Sequence, residues 1–362
     1  MKKNTVITTL IALVIIAGVV YWLHERVKSE VQTIRIGAVL PLTGNMASLG
    51  ETGKNGLAIA QDYINQNHIL KDGQIEFVLG DGMGIPKSSI NALNYIVDIE
   101  KINIVLSIVS AVDLAFIPIQ SNKKFLFVSH ATHPALSNVN DLVFRHSPTV
   151  LQEAELMQSY IGADSLSTVL LCMSDDYGTA FSSIVQEKGI IPAKSIMSFN
   201  ADERDYKTLC LKAIHANPSR IVLCGNGKEQ YKIVSALREL NYNSEIVTTL
   251  GFKVGGAYDV VKDKVDFAYV NFKNTEVDQR YAQVLLDYKS KYNKEMTLNE
   301  MIFFNTALLI VEAINQTKDK NDVNEIANHL SNIRTFEGIG ENIIVTSSND
   351  ILPELGIYKN NK

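Results

Sequence analysis

From Gln32 onward the chain alternates between short runs that are apolar at consecutive positions and longer segments whose apolar residues recur every three or four. "INIVLSIVS", "KFLFVSH", "STVLLCMSDD", "SRIVLCGNG" and "EIVTTLGF" are of the first kind. A strand covered on both faces reads this way, because neither side of it meets water. The second kind is amphipathic. "GLAIAQDYINQ" gathers Leu57, Ile59, Ala60, Tyr63 and Ile64 on one side, and "EQYKIVSALRELN" does the same with Tyr231, Val234, Leu237 and Leu240. Strands alternating with such helices predict an α/β architecture of doubly wound parallel sheets. The pattern restarts near Pro148, with about five strand and helix units on either side, which predicts two similar lobes. A length of 362 residues fits two domains better than one core.

One strand is broken at its end. "IRIGAVLPLTGNMASLG" starts as a buried strand and then runs into Pro41, Gly44 and small polar residues. In an open parallel sheet, ligands bind beyond the carboxyl ends of the strands, where neighbouring loops diverge. The break therefore predicts the rim of a site. "ETGKNG" is then expected to open a helix whose first N–H groups favour anionic or polar partners.

Charge narrows the choice of partner. The formal net charge is -5 and Lys and Arg form no cluster, which argues against nucleic acid and points to a small-molecule ligand. Residues 6–23 carry no charge, and at 1.5 Å per residue about 18 residues of helix span about 27 Å, nearly a bilayer. The run lacks the small residues of a cleavage site and ends in Val, Tyr, Trp and Leu, so an uncleaved anchor is expected over a cleaved signal. Residues 1–28 are thus set apart as a membrane anchor or signal, and the remainder is expected outside the cytoplasm, in the periplasm or at the cell exterior. Three cysteines, Cys172, Cys210 and Cys224, have no metal-like spacing and read as buried apolar residues.

A family resemblance rests on collinear motifs. The opening stretch continues as "ETGKNGLAIAQDYIN", followed by "GDGMGIPKSS", "FVSHATHPAL", "VFRHSPTVLQEAE", "MSDDYGTA", "ERDYKTLCLKAIHANPSRIVLCGNGKEQYKIVSALRELNY" and "FEGIGENIIV". Together these resemble the leucine/isoleucine/valine-binding protein family, the type I periplasmic solute-binding proteins of ABC transporters. The resemblance implies two α/β lobes joined by a three-strand hinge. Lobe one would hold 32–147 plus 273–334, and lobe two 148–272 plus 335–362. It also implies a binding protein without cofactor or enzymatic activity, presenting its ligand to ABC permease subunits. The alternative is a receptor that reports the ligand to a separate signalling partner.

Site residues follow from the same resemblance. The ligand carboxylate would meet Ser110 in "SIVSAV" and the Ala131-Thr132 loop, where hydroxyls and amides donate without adding a full charge. Tyr177 in "DDYGTA" would close on the ligand from lobe two. At the places where relatives carry a second aromatic and a carboxylate for the ligand ammonium, this chain has Asn226 between two glycines, and Leu250 with Gly251. These three residues are expected to face the ligand instead. With no carboxylate there, the expected ligand lacks an α-ammonium, unless Asp81, Asp113 or Asp176 substitutes. His130 is expected to line the cleft. If it and His133 do so, affinity for an anion should rise as pH falls through their titration range; the other reading is that they cap a loop.

Other chemistries are excluded on their motifs. "HATH" brings two ligand-like histidines, and His146 is near in sequence, but no third or fourth zinc ligand is identifiable. "SLGETGKN" resembles a phosphate loop but has Ser48 for its first Gly and Asn55 after the Lys. No nucleophile elbow is present, and Asp175-Asp176 reads as the loop at a strand end.

Overall fold

The computed structural model describes residues 32–360 apart from 163–166, 201, 203–204, 226, 228–229 and 274–278. The apolar segment 6–23 lies outside the described residues. Five strands come first: β1 (Gln32–Leu40), β2 (Gly73–Asp81), β3 (Ile104–Ser107), β4 (Leu126–Ser129) and β5 (Val143–His146). They pair in parallel in the order β5-β4-β3-β1-β2. Five more follow: β6 (Thr168–Met173), β7 (Ile196–Phe199), β8 (Arg220–Cys224), β9 (Glu245–Thr248) and β10 (Phe267–Phe272), in the parallel order β10-β9-β8-β6-β7. The consecutive apolar residues divide between two layers on each sheet. Leu170, Cys172, Val222 and Cys224 pack on one face of the second sheet, and Val169, Leu171, Ile221 and Leu223 on the other. That is why these strands show no polar alternation. All three cysteines are free and buried, and burial pushes the Cys210 thiol up to about 12.

Three of the last four strands depart from expectation. β11 (Thr335–Gly338), β12 (Glu341–Val345) and β13 (Asp350–Pro353) extend the first sheet, giving β11-β12-β13-β5-β4-β3-β1-β2. Only β14 (Leu355–Asn360) joins the second sheet, antiparallel to β10. Residues 335–353 therefore belong with the first sheet and not with lobe two. The register is held where Asp350 pairs with Arg145, whose Nε donates to Asp350 Oδ1 at 2.9 Å. The chain passes between the sheets three times: after β5, after β10, and between Pro353 and Leu355.

The helix Leu298–Gln316 builds the floor of the first lobe. It starts with a capping box, Thr297 against Glu300, and thirteen of its residues are buried. By length and composition it could cross a membrane, but it packs inside the first core with Ile36, Leu106, Val128 and Phe144. The helix Ala47–Gln66 lies against it through Gly53 and Gly56. A Cβ at Gly56 would come within 2.5 Å of the Glu300 carbonyl oxygen. The phosphate-loop look-alike is thus the glycine face of a helix seam. That helix begins at Ala47, so "ETGKNG" sits within it and opens no helix. The preceding loop is also occupied: Asp81 Oδ1 accepts from the Leu42, Thr43 and Met83 amides at 3.0, 3.3 and 2.9 Å.

Candidate functional site

The carboxyl ends of β3 and β4 face those of β6 and β9 across a cavity of about 340 Å3. This is the small end of ordinary ligand pockets, about 300–1,000 Å3. The first lobe contributes Ser110, His130, Ala131, Thr132, Ile302 and Phe303; the second contributes Glu153, Tyr177, Leu250, Gly251 and Phe272. A wider outer chamber of about 630 Å3 shares Leu49, Val254, Leu298 and Asn299 with it. Leu49 and Ser48, from the start of the helix Ala47–Gln66, form this part of the rim, whereas Pro41 and Gly44 line neither chamber.

The polar wall of the first lobe is held from behind. Ser110 is the first residue of the helix Ser110–Lys123, so the opening amides of that helix lack intrahelical partners near the cleft. The Ala131 amide donates to Ser129 Oγ at 3.1 Å, and Ser129 in turn donates to Asp113. Asp113 is fully buried, and that burial pushes its carboxyl up to about 7 despite the hydroxyls of Ser107 and Ser129. Arg145 Nη1 donates to the Thr132 and His133 carbonyls at 3.3 and 2.9 Å while its Nε holds Asp350. The loop is therefore fixed, and the Thr132 side chain is left exposed on the cleft side.

His130 lines the cavity but carries no usable charge. Its ring stacks on Phe303 with centroids 4.0 Å apart, its Nδ1 faces the Ser107 carbonyl at 3.0 Å, and its Nε2 lies 2.8 Å from Thr306 Oγ1. Burial, with His146 nearby, lowers its pKa to about 3. The expected gain in anion affinity on protonating His130 is therefore withdrawn. His133 caps the turn Pro134–Leu136, its Nδ1 accepting from the Ala135 amide at 3.2 Å, and borders a neighbouring pocket. His146 is fully buried against Thr306 and Glu341. No group of three or more potential metal ligands occurs among the described residues.

Most of the described region carries a family signature: the periplasmic binding protein family matches residues 33–353. The chain belongs to that family. Among relatives, a Leu/Ile/Val-binding protein homolog 3 from Brucella melitensis is 31% identical over 132 residues, 35% of each chain. The Leu/Ile/Val-binding protein BraC3 of Rhizobium johnstonii is 38% identical over 64 residues, 18% of this chain and 17% of that one. The chain thus matches about a third and about a sixth of the length of these two relatives. Solved structures extend the likeness to the whole fold. The branched-chain amino acid transporter substrate-binding protein LivJ of Streptococcus pneumoniae, in complex with isoleucine, superposes with a TM-score of 0.74 at 21% identity, covering 91% of this chain and 97% of that one. The leucine-binding protein LivK of Thermotoga maritima gives 0.69 at 20% identity, over 90% and 94%. The fold is the type I periplasmic binding protein fold of two α/β lobes.

In this periplasmic binding protein, most of the residues expected to face a ligand come together. Ser110, His130, Ala131, Thr132, Tyr177, Leu250 and Gly251 line one cavity, and Asn226 lies outside the described residues. Of the acids considered as substitutes, Asp81 is engaged in its own loop, Asp113 sits behind Ser129, and Asp176 lines only the neighbouring pocket. The residue that sequence reasoning missed is Glu153. Tyr177 donates to its Oε1 at 2.7 Å and the Leu250 amide to its Oε2 at 2.8 Å. Burial pushes its carboxyl up to about 7. A signal for it existed: in the helix Val150–Ile161 it falls on the buried stripe with Val150, Ala154, Met157 and Ile161. A glutamate at a core-facing position is informative, since carboxyls are rarely buried without a partner.

Proposed function

We propose that the protein captures a small carboxylate-bearing solute between its lobes, outside the cytoplasm, and presents it to an ABC permease. The observation that carries this reading is the convergence of strand ends from both sheets on one small cavity, with Ser110 and Thr132 in its lining. The opening amides of the helix Ser110–Lys123 add donors and a favourable dipole for an anionic end. Phe272, Ile302 and Phe303 offer an apolar surface to the rest of the solute. The family supports solute binding, and the branched-chain amino-acid proteins among its structural neighbours support a solute of that size.

Closure is the mechanism. Three chain passages join the lobes, so they rotate about a narrow hinge, and contacts to both lobes exist together only when the cleft is shut. A solute then shifts the equilibrium by its differential affinity for the closed state. Going from 1:99 to 99:1 closed takes about 5.5 kcal/mol. A few hydrogen bonds at about 1 kcal/mol each, together with one buried apolar group at about 1.5–3 kcal/mol, reach that scale.

The test is a thermal-shift screen of the full-length protein, kept in mild detergent, against small carboxylates, amides and amino acids. Saturating solute adds RT ln(1 + [L]/Kd) of stability, so a binding compound raises Tm. In the double variant Ser110→Ala, Thr132→Ala the shift from the same compound should fall by at least about half. An undiminished shift would remove the two hydroxyls from the site, and no shift from any compound would remove the reading.

A further inference from the structure

Among the described residues lining the inner cavity, Glu153 is the single acidic side chain, and no described Lys or Arg lines it. It is 2% exposed, and its carboxyl receives two neutral donors, a phenol and a backbone amide. Neither supplies the positive charge that a buried carboxylate needs. Asp350, another buried acid, has such a partner in Arg145, 2.9 Å away. Glu153 has a cavity in that place.

Position strengthens the case. The strand end of β9, at Leu250 and Gly251, offers no carboxylate of its own. Glu153 comes from a different element, the helix Val150–Ile161, and its Oε2 reaches the amide of Leu250. An acid is thereby delivered to the corner where the local sequence lacks one. Tyr177 fixes the other oxygen, so the carboxyl is oriented before any solute arrives.

We propose that Glu153 is the counter-ion for a cationic nitrogen on the bound solute. Because it rests on the reading that the inner cavity holds the solute, the proposal makes that solute a small zwitterion. Its carboxylate lies toward Ser110 and Thr132 on lobe one, and its ammonium toward Glu153 on lobe two. Each lobe then grips one charge, and a molecule lacking either end closes the cleft poorly. A cation beside Glu153 also favours its ionised form, so binding near neutral pH releases a proton.

A purely structural Glu153, clamping Tyr177 to the start of the helix Leu250–Val254, would be indifferent to charge on the solute. The experiment uses matched probes on the full-length protein: leucine, phenylalanine and 4-aminobutyrate, each beside its deaminated carboxylate (4-methylpentanoate, 3-phenylpropanoate and butyrate). At least one amino compound should bind more tightly than its deaminated partner by about tenfold or more. Calorimetry in two buffers of different ionisation enthalpy should show proton release on binding it. Glu153→Gln should erase that preference, weakening the amino compound by about tenfold while leaving its deaminated partner within about twofold. Deaminated compounds binding as well as their partners, or Glu153→Gln weakening both alike, would overturn the proposal and leave the solute-binding reading intact. Binding by none of the six would overturn both. The comparison of probes on the unmodified protein stands even if the variant does not fold.

Discussion

Asp113 shows how a single residue behind the cleft shapes both its geometry and its pH response. The carboxyl orients Ser129, which orients the Ala131 amide, so it acts on the cleft at second hand. Its folded pKa, about 7, lies above that of an exposed aspartate, so the folded state holds a proton that the unfolded state has lost. Stability from this group is complete below the unfolded value and is lost as pH rises through about 7. Glu153, shifted the same way, adds to the loss in the absence of a cation. His130 works in the opposite sense and in another window: with a folded pKa of about 3, it disfavours folding as pH falls below the usual histidine range. Between about pH 6.5 and 8.5 the carboxyls dominate, so unfolding free energy should drop by about 1–3 kcal/mol over that interval. Asp113→Asn should flatten the drop, as read from urea midpoints at both pH values. An unchanged slope would show that Asp113 is ionised at both.

At the scale of elements, two seams govern the cleft. The helices Ala47–Gln66 and Leu298–Gln316 approach through Gly53 and Gly56, and the second of them carries Ile302 and Phe303 into the cavity. Gly56→Val would drive methyl groups against the Glu300 backbone, costing about 1–3 kcal/mol by overpacking. Because the displaced helix lines the site, solute affinity should fall with stability, measured as Cm and Kd on the same preparation. The other seam is β5 against β13. Arg145→Met would leave Asp350 without its cation and release the Thr132 and His133 carbonyls. Breaking such a buried pair costs about 3–5 kcal/mol, so a clear fall in Tm is expected. A Tm within a degree of the parent would mean that Ser137 and Ser348, which also donate to Asp350, suffice.

At the scale of the molecule, the two lobes and their three connections make domain closure the property to measure. Small-angle scattering should record a smaller radius of gyration on adding a compound found in the thermal-shift screen. The same compound should leave the scattering of the Ser110→Ala, Thr132→Ala variant unchanged if both hydroxyls are needed for closure. Compaction that persists in the variant would remove the two hydroxyls from the contacts that close the cleft.

Strand and helix identity and the two-lobed α/β plan were legible in the residues, and the family resemblance added Ser110, His130, Ala131 and Thr132, four residues that line the cavity. Short consecutive apolar runs bounded by turn residues fit a strand covered on both faces, and residues at strand ends gather wherever parallel strands align. Ser110, Thr132 and Tyr177 were marked by the family resemblance, and each lies three or four residues beyond the end of a parallel strand. The tertiary structure alone decided three matters. It placed residues 335–353 in the first sheet, through a pairing of Asp350 with Arg145 that spans 205 positions of sequence. It made His130 neutral by burying it on Phe303. It carried Glu153 across 97 positions to the Leu250 amide, setting a carboxylate where the strand end has none. Local sequence encodes which face of an element is apolar; desolvation and long-range partners, which fix the charge and role of a buried group, exist only once distant segments have packed.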